Sequence, residues 1–342
     1  MEYKVTIGIP AYNAAQFIER TLKSVLSQTF GNLEILIIDD CSSDNTVEII
    51  QQYVGVHPND ITVHLLQQNE NKGVSAARNR IIDEAQGTYL FFMDSDDTIE
   101  TNTIELLYSK IVNNDADVAF ASLRKIFVGD NKCEEFVYPD IVFKDRNSLQ
   151  LYAFRKFGGF QSCPINYLIN VEHLRHDNLR FVRVNGWEDA MFIMELLPHV
   201  NKAVLCHDIT YNYICRINSL SNYQGRSFIP QREIEERFYI VECMKQNARK
   251  YIHEVFGGDM YYVTMMSAFY AACGIISKKD IIKPEIKLSE IMKIIDPHLA
   301  LDEIFALKNR KFFNLFFYIM SKLPSFIAIP AIMRIVKIKH AI

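Results

Sequence analysis

What this 342-residue sequence lacks narrows its chemistry first. It has one tryptophan and seven cysteines (Cys41, Cys133, Cys163, Cys206, Cys215, Cys243 and Cys273), none of them in a CxxC pair. Scattered thiols in odd number exclude a disulfide framework and a cysteine zinc site, and they point to a reducing, cytoplasmic compartment. Neither GxGxxG nor GxxxxGK[ST] occurs, so dinucleotide and P-loop binding have no fingerprint here. A net charge of -4 carries no nucleic-acid signature. The opening MEYKVTIGIP has no basic start followed by an apolar stretch, so a signal peptide is not expected.

What is present is an ordinary globular composition, 49% hydrophobic and 23% charged, in a chain long enough for a large core. The first third alternates strand and helix patterns. Val5–Ile9, Leu33–Ile38, Ile61–Leu66, Tyr89–Met93 and Val118–Leu123 read as strands, and 17–26, 47–54, 74–85 and 103–112 as helices. Such alternation predicts an α/β fold with an open, mostly parallel sheet and right-handed crossovers. Segments 134–143, 165–182 and 203–217 read as short strands and turns, with a short helix over 188–197. After Pro230 the chain reads as helical. The expected division is a nucleotide-binding α/β domain over 1–225 and a helical region over 226–342.

The stretch FFMDSDD, Phe91 to Asp97, runs a buried strand into three carboxylates, which repel unless something cancels their charge. A divalent cation, Mg²⁺ or Mn²⁺, suits hard oxygen donors of this kind together with substrate phosphates. Other polar clusters fall at neighbouring strand ends, where ligands of open α/β sheets bind. These are Pro10-Ala11-Tyr12-Asn13, Asp39-Asp40-Cys41-Ser42-Ser43-Asp44 and Asn69-Glu70-Asn71-Lys72-Gly73. Asp39 or Asp40 can accept hydrogen bonds from a uracil or a ribose, and Asp44 can cap the following helix. Arg78 and Arg80 point apart on one helix, so one of them can face the crevice.

The ordered set Pro10-Ala11-Tyr12-Asn13, Asp39 to Thr46, Asn71 to Asn79 and Asp94-Ser95-Asp96-Asp97 resembles the family 2 glycosyltransferases of GT-A fold, over roughly the first 220 residues. That resemblance implies a Rossmann-like GT-A domain with a helical C-terminal region. It implies transfer of a sugar from a nucleotide-diphosphate donor, UDP foremost, to a glycan or lipid-linked acceptor hydroxyl with inversion. It places Pro10, Tyr12, Asn13, Asp39 and Asp40 at the nucleoside, and Lys72, Arg78 and Ser95 at the donor. Asp94 and Asp96 become the DxD pair for Mn²⁺ or Mg²⁺, with Asp96 the direct ligand.

Inversion needs a general base. Gly186-Trp187-Glu188-Asp189 opens a helix where the family carries an Asp-containing ED pair. The resemblance makes Asp189 the base and Glu188 a partner that orients the acceptor; otherwise the two acids only complement a helix dipole. Trp187 either stacks on an acceptor sugar or fills core. Arg216 and Ser219, in the stretch Tyr211 to Ser221, can meet the diphosphate when a loop closes. His207 stands between a metal approach and a structural role. Two rival readings are a nucleotidyltransferase, which Tyr12-Asn13-Ala14-Ala15 fits poorly, and a nucleotide-sugar-binding scaffold without turnover.

After Glu303 the chain carries lysines and arginines but no Asp or Glu. Two apolar runs, Phe312 to Met320 and Phe326 to Met333, fall short of the ~18–20 residues of a spanning helix. Segment 308–340 therefore reads as a peripheral membrane contact, as packing on the helical region, or as a contact between subunits of a homo-oligomer.

Overall fold

A computed structural model of the chain describes residues 3–129, 132–156, 160–184, 186–216, 228–284 and 286–340. Ser219 and the expected boundary at residue 225 lie outside the described residues. The chain divides into two compact units, 1–149 with 162–183 and 188–223, and 150–161 with 184–187 and 224–342.

The first unit is built on β1 (Val5–Ala11), β2 (Leu33–Asp39), β3 (Gly55–His57), β4 (Ile61–Gln67), β5 (Tyr89–Phe92), β6 (Thr98–Ile99), β7 (Val118–Phe127), β8 (Lys132–Phe136), β9 (Ile141–Phe143), β10 (Tyr167–Asn170) and β11 (Ala203–Cys215). They form one sheet in the order β3-β4-β2-β1-β5-β10-β7-β11-β6, with β8 on β7 and β9 on β11. The pairs β1/β2, β2/β4, β1/β5 and β7/β11 are parallel. The helices are α1 (Ile18–Leu26), α2 (Thr46–Gln51), α3 (Val74–Glu84), α4 (Thr103–Asn114), α6 (Val171–His176) and α7 (Glu188–Leu196); α5 (Arg146–Arg155) spans the division between the units. The mostly parallel α/β architecture read from the sequence is the one observed.

β1 and β2 are buried along their whole length, as apolar strands covered on both faces must be. The chain steps from β1 out to β2 and β4, then crosses back to place β5 on the other side of β1. That reversal is a topological switch point, where the carboxyl ends of two strands diverge and leave a crevice. Pro10 is tolerated in this central strand because β5 pairs with β1 only as far as Gly8.

Two features depart from the sequence reading. β10 runs antiparallel between β5 and β7, inserting a reversed strand into a sheet expected to be parallel there. Segment 165–182, expected as strands and turns, contains the helix α6, capped by the Asn170 side chain accepting from Glu172 N. A four-residue strand and a one-and-a-half-turn helix are too short for hydrophobic periodicity to separate them.

The second unit holds α8 (Gln231–Lys250), α9 (Gly257–Ser277), α10 (Leu288–Ile294), α11 (Leu301–Ala306), α12 (Lys311–Lys322) and α13 (Ser325–His340), with a small parallel pair, β12 (Ile229–Pro230) and β13 (Ile282–Lys283). α9 is its core helix. By length and composition α9 could cross a membrane, yet 67% of its apolar window is buried inside the protein. Buried Asp259 on α9 accepts from Arg155 Nε at 3.1 Å, Arg310 Nε at 2.8 Å and Asn309 Nδ2 at 2.6 Å.

A buried polar knot aligns the strands of the crevice. Thr6 Oγ1 on β1 donates to Glu34 Oε2 on β2 at 2.5 Å and accepts from Gly87 N at 2.8 Å. A Cβ on Gly87 would press on the backbone of Val5 and Thr6. Gly87→Ala is therefore expected to cost about 1–3 kcal/mol through overpacking, read as a lower urea midpoint; an unchanged midpoint would contradict this packing.

Candidate active site

Four strand-end loops meet at the switch point and are tied by hydrogen bonds. The loop after β1 is laced to the loop after β2. Asn13 N donates to Ser42 Oγ at 2.9 Å, Asn13 Oδ1 accepts from Ser43 N at 2.8 Å, and Ala14 N donates to Thr46 Oγ1 at 2.7 Å. Asn13 and Cys41 sit at φ 47° and 62°, a left-handed region that Asn tolerates better than most residues. Asp44 accepts from Ala15 N and from Thr46 N and Oγ1, so it ties the first residue of α2 to the loop after β1. Tyr12 is half exposed.

The adjacent aspartates differ sharply. Asp40 is saturated by protein donors: Gln68 Nε2 at 2.6 Å, Lys72 N at 2.8 Å and Gly73 N at 2.7 Å. It thereby fixes the turn before α3, where Gly73 holds φ 85°. Asp39 is buried and accepts from Ser42 N through Oδ2, while its Oδ1 has no partner among the described residues. A buried carboxylate oxygen left unpaired is costly, and a nucleoside donor group would satisfy it. Lys72 Nζ is exposed near Glu70.

The three carboxylates after β5 each find partners within the protein, two of them arginines. Asp94 Oδ1 accepts from Arg78 Nη2 at 3.0 Å. Asp96 Oδ2 pairs closely with Arg216, whose guanidinium lies 3.7 Å from the Phe17 ring centroid. Buried Asp97 accepts from Tyr211 Oη and Ile214 N, both at 2.7 Å. Burial, and then the Asp94 charge, push Asp97 up to about 8. The loop backbone is held from α1: Thr21 Oγ1 donates to the carbonyls of Ser95 and Asp97, and Arg20 Nη2 to that of Asp96.

Hard-cation chemistry fits this donor set. Asp94 and Asp96 are each partly exposed, and each commits only one carboxylate oxygen to its arginine. A pair of carboxylates completed by substrate phosphates is how Mg²⁺ is usually held. Among the described residues no group of three or more His, Cys, Asp or Glu forms a self-sufficient metal cage. His207 is elsewhere engaged, 2.6 Å from Asp140 Oδ2 through Nδ1.

Arg78 joins the two halves of the site. Its guanidinium is buried, bonds Glu188 Oε1 at 3.2 Å as well as Asp94, and lies 5.4 Å from the Phe181 ring centroid. Burial works against its charge, but Asp94 and Glu188 outweigh it and hold the guanidinium above its ordinary value. Arg80 points away, to the Gln67 carbonyl. Asp189, next along α7, accepts from Ala190 N at 2.7 Å. Partly exposed yet densely surrounded, it is pushed up to about 6 by burial and then by Glu188. Gly186 at φ 113° and Trp187 at φ 66° precede it; a bulky residue in that region marks local strain. Trp187 groups with the second unit.

Within the first unit the structure thus links Arg78, Asp94 and Glu188, with Asp189 next to Glu188 in the chain, and pairs Asp96, on the same loop as Ser95, with Arg216, while Pro10, Tyr12, Asn13, Asp39, Asp40 and Lys72 lie at the other strand ends and their loops. Sequence reasoning missed Arg20 and Thr21, which carry no motif, and Cys163, whose thiol is pushed up to about 12 by burial and the Asp189 and Asp94 charges.

The sequence pattern of glycosyl transferase family 2 matches residues 6–167. Glycosyltransferase GlyG of Streptococcus pneumoniae is 34% identical over 224 residues, 64% of this chain and 73% of that protein. The chain belongs to glycosyl transferase family 2. A cholesterol galactosyltransferase of Borreliella burgdorferi is 25% identical over 229 residues, 65% of this chain. Several curated relatives are matched over less than two thirds of their own length, this one over 63%. Among solved structures, S. aureus TarS 1-349 in complex with UDP-GlcNAc superposes with a TM-score of 0.65 at 19% identity, covering 90% of this chain and 82% of that one. The fold of this glycosyl transferase family 2 chain is accordingly GT-A.

Removing one partner of a buried ion pair leaves the others uncompensated, at about 3–5 kcal/mol. Arg78→Met is expected to lose stability in that range by urea unfolding, and Glu188→Gln added to it to recover part of the loss. No recovery would show that the pairing is not what Arg78 supplies.

Proposed function

We propose that the chain is an inverting glycosyltransferase that moves a sugar from a nucleoside-diphosphate sugar, UDP foremost, to a hydroxyl of a glycan or lipid-linked glycan. The observation that carries this reading is the buried ion-pair chain in which Arg78 joins Asp94 at the strand end to Glu188, the residue before Asp189 at the start of α7; burial and then Glu188 push the Asp189 carboxyl up to about 6. A base near neutrality is what proton abstraction from an alcohol in the transition state requires. A structural neighbour captured with UDP-GlcNAc supports the choice of nucleotide. The seven free cysteines support a cytoplasmic setting.

In this mechanism Asp39 Oδ1 receives the nucleoside, beside Tyr12 and Pro10. Arg216, whose Nε has no partner among the described residues, turns from Asp96 toward the diphosphate. Asp94 and Asp96 would hold Mn²⁺ or Mg²⁺, which when bound supplies neutralisation of charge on the leaving diphosphate. Glu188 orients the acceptor. As the acceptor oxygen bonds to the anomeric carbon, its proton passes to Asp189. The bond to the diphosphate breaks on the opposite face and its electron pair leaves with the nucleotide.

Asp189→Asn should lower UDP release by about 10²–10⁴-fold while leaving UDP-sugar binding intact. Loss of binding instead would make Asp189 a donor ligand, and binding without turnover in the unmodified protein across a broad acceptor set would leave a scaffold. The pH dependence has a definite sign. The folded-state value lies above that of a free carboxyl, about 4, so ionising Asp189 costs stability as pH rises from there to about 6. Catalysis needs the ionised form, so kcat/KM should climb through the same window and lose that limb in Asp189→Asn.

A further inference from the structure

The second unit ends in two helices that each bury one face and leave the other bare. α12 and α13 are joined by Leu323-Pro324 alone. On α12, Phe317 and Met320 are buried, while Phe312, Phe316 and Ile319, spaced at i, i+4 and i+7, are exposed, Phe312 by 87%. On α13, Ala328 and Ile332 are buried, while Phe326 (75%) and Ile327 (46%) face solvent. Exposed aromatic surface of this extent marks an interaction site.

Charge selects its occupant. From residue 304 onward the chain holds Lys308, Arg310, Lys311, Lys322, Arg334, Lys337 and Lys339 and no Asp or Glu. Arg310 and Lys322 are taken by Asp259 and Asp296, whereas Lys308, Lys311 and Arg334 are exposed with no ion pair among the described residues. A second copy would bring like charge against like charge, which opposes self-association through this face. The apolar part of α13, Ser325–Arg334, is too short to span a bilayer.

We infer that α12 and α13 form a peripheral docking surface for an anionic lipid bilayer. The exposed phenylalanines enter the headgroup boundary and Lys308, Lys311 and Arg334 meet lipid phosphates. Vesicle binding needs no turnover, so failure of the transfer reading leaves this surface standing.

The test is co-sedimentation of the full chain with vesicles of phosphatidylcholine alone and of phosphatidylcholine mixed equally with phosphatidylglycerol. Binding is expected to the anionic vesicles, at least tenfold over the neutral ones, and to fall as salt rises. Lys308→Gln with Lys311→Gln should weaken it by roughly fivefold per charge removed. Phe312→Ser with Phe326→Ser, both at exposed positions, should abolish it while circular dichroism stays unchanged. Equal binding to neutral vesicles, no binding of the unmodified chain, or a dimer in sedimentation that these Ser variants dissociate would each overturn the inference, the last by giving the face to a second copy. The comparison of lipids on unmodified protein decides even if a variant misfolds.

Discussion

One buried cation ties the strand end after β5 to the start of α7. Arg78 is the only link on which a strand-end carboxylate, Asp94, and a helix-start carboxylate, Glu188, both depend among the described ion pairs. Three charges in low dielectric are tolerated only because each has its opposite within hydrogen-bond reach. The consequence is positional. Asp189 follows Glu188 in sequence, so a restraint on Glu188 also restrains the start of α7 and the base proposed there. Arg78 is buried with both Nη atoms committed to carboxylates and its Nε without a partner among the described residues, as is the Nε of Arg216. The sequence marked Arg78 as a donor residue; in the protein its guanidinium also ties Asp94 to Glu188.

The parts of the fold legible in the sequence were those with long or continuous patterns. β1, β2, β4 and β5 are apolar runs followed by Tyr12, Asp40, Gln68 and, after Met93, Asp94, with β1 running on through Pro10, where the sequence placed its stop, and α3, α4, α8 and α9 have enough turns to show helical period. β3, α6 and the reversed β10 are short, α5 is longer but carries no apolar face at helical period, and a short apolar run does not reveal its direction in a sheet. At the site, acidic strand ends announced themselves as motifs. The answer to their charge did not, because Arg20, Thr21, Tyr211 and Arg216 are separated from Asp94–Asp97 by as many as 120 residues in sequence. Which of two adjacent aspartates retains a free oxygen was also invisible, since it depends on the turn at Gln68 to Gly73 and not on the pair itself.

The second unit solves a similar problem with similar means. Asp259, buried on α9, is held by two arginines and an asparagine drawn from α5 and the approach to α12. No motif signals this hub; an acid in the first turn of an apolar helix reads as a dipole partner. Its effect is to fasten the chain just before α12, so the bare face of that helix starts from a fixed point. Arg310, spent on this fastening, is thereby withdrawn from the basic set that Lys308 and Lys311 continue.

The antiparallel β10 divides the sheet into two parallel groups, β4-β2-β1-β5 on one side and β7-β11 on the other. Because it runs backwards, its leading end sits at the same edge as Asp94, and residues 163–166 enter the rim from a segment outside the strand-end motifs. Asn166 anchors that segment by donating to the Ala121 and Ser122 carbonyls and accepting from Thr210 Oγ1. The doorway beside Asp94 is thus framed in part by a segment that belongs to none of the strand-end motifs, so it can be reshaped without touching them.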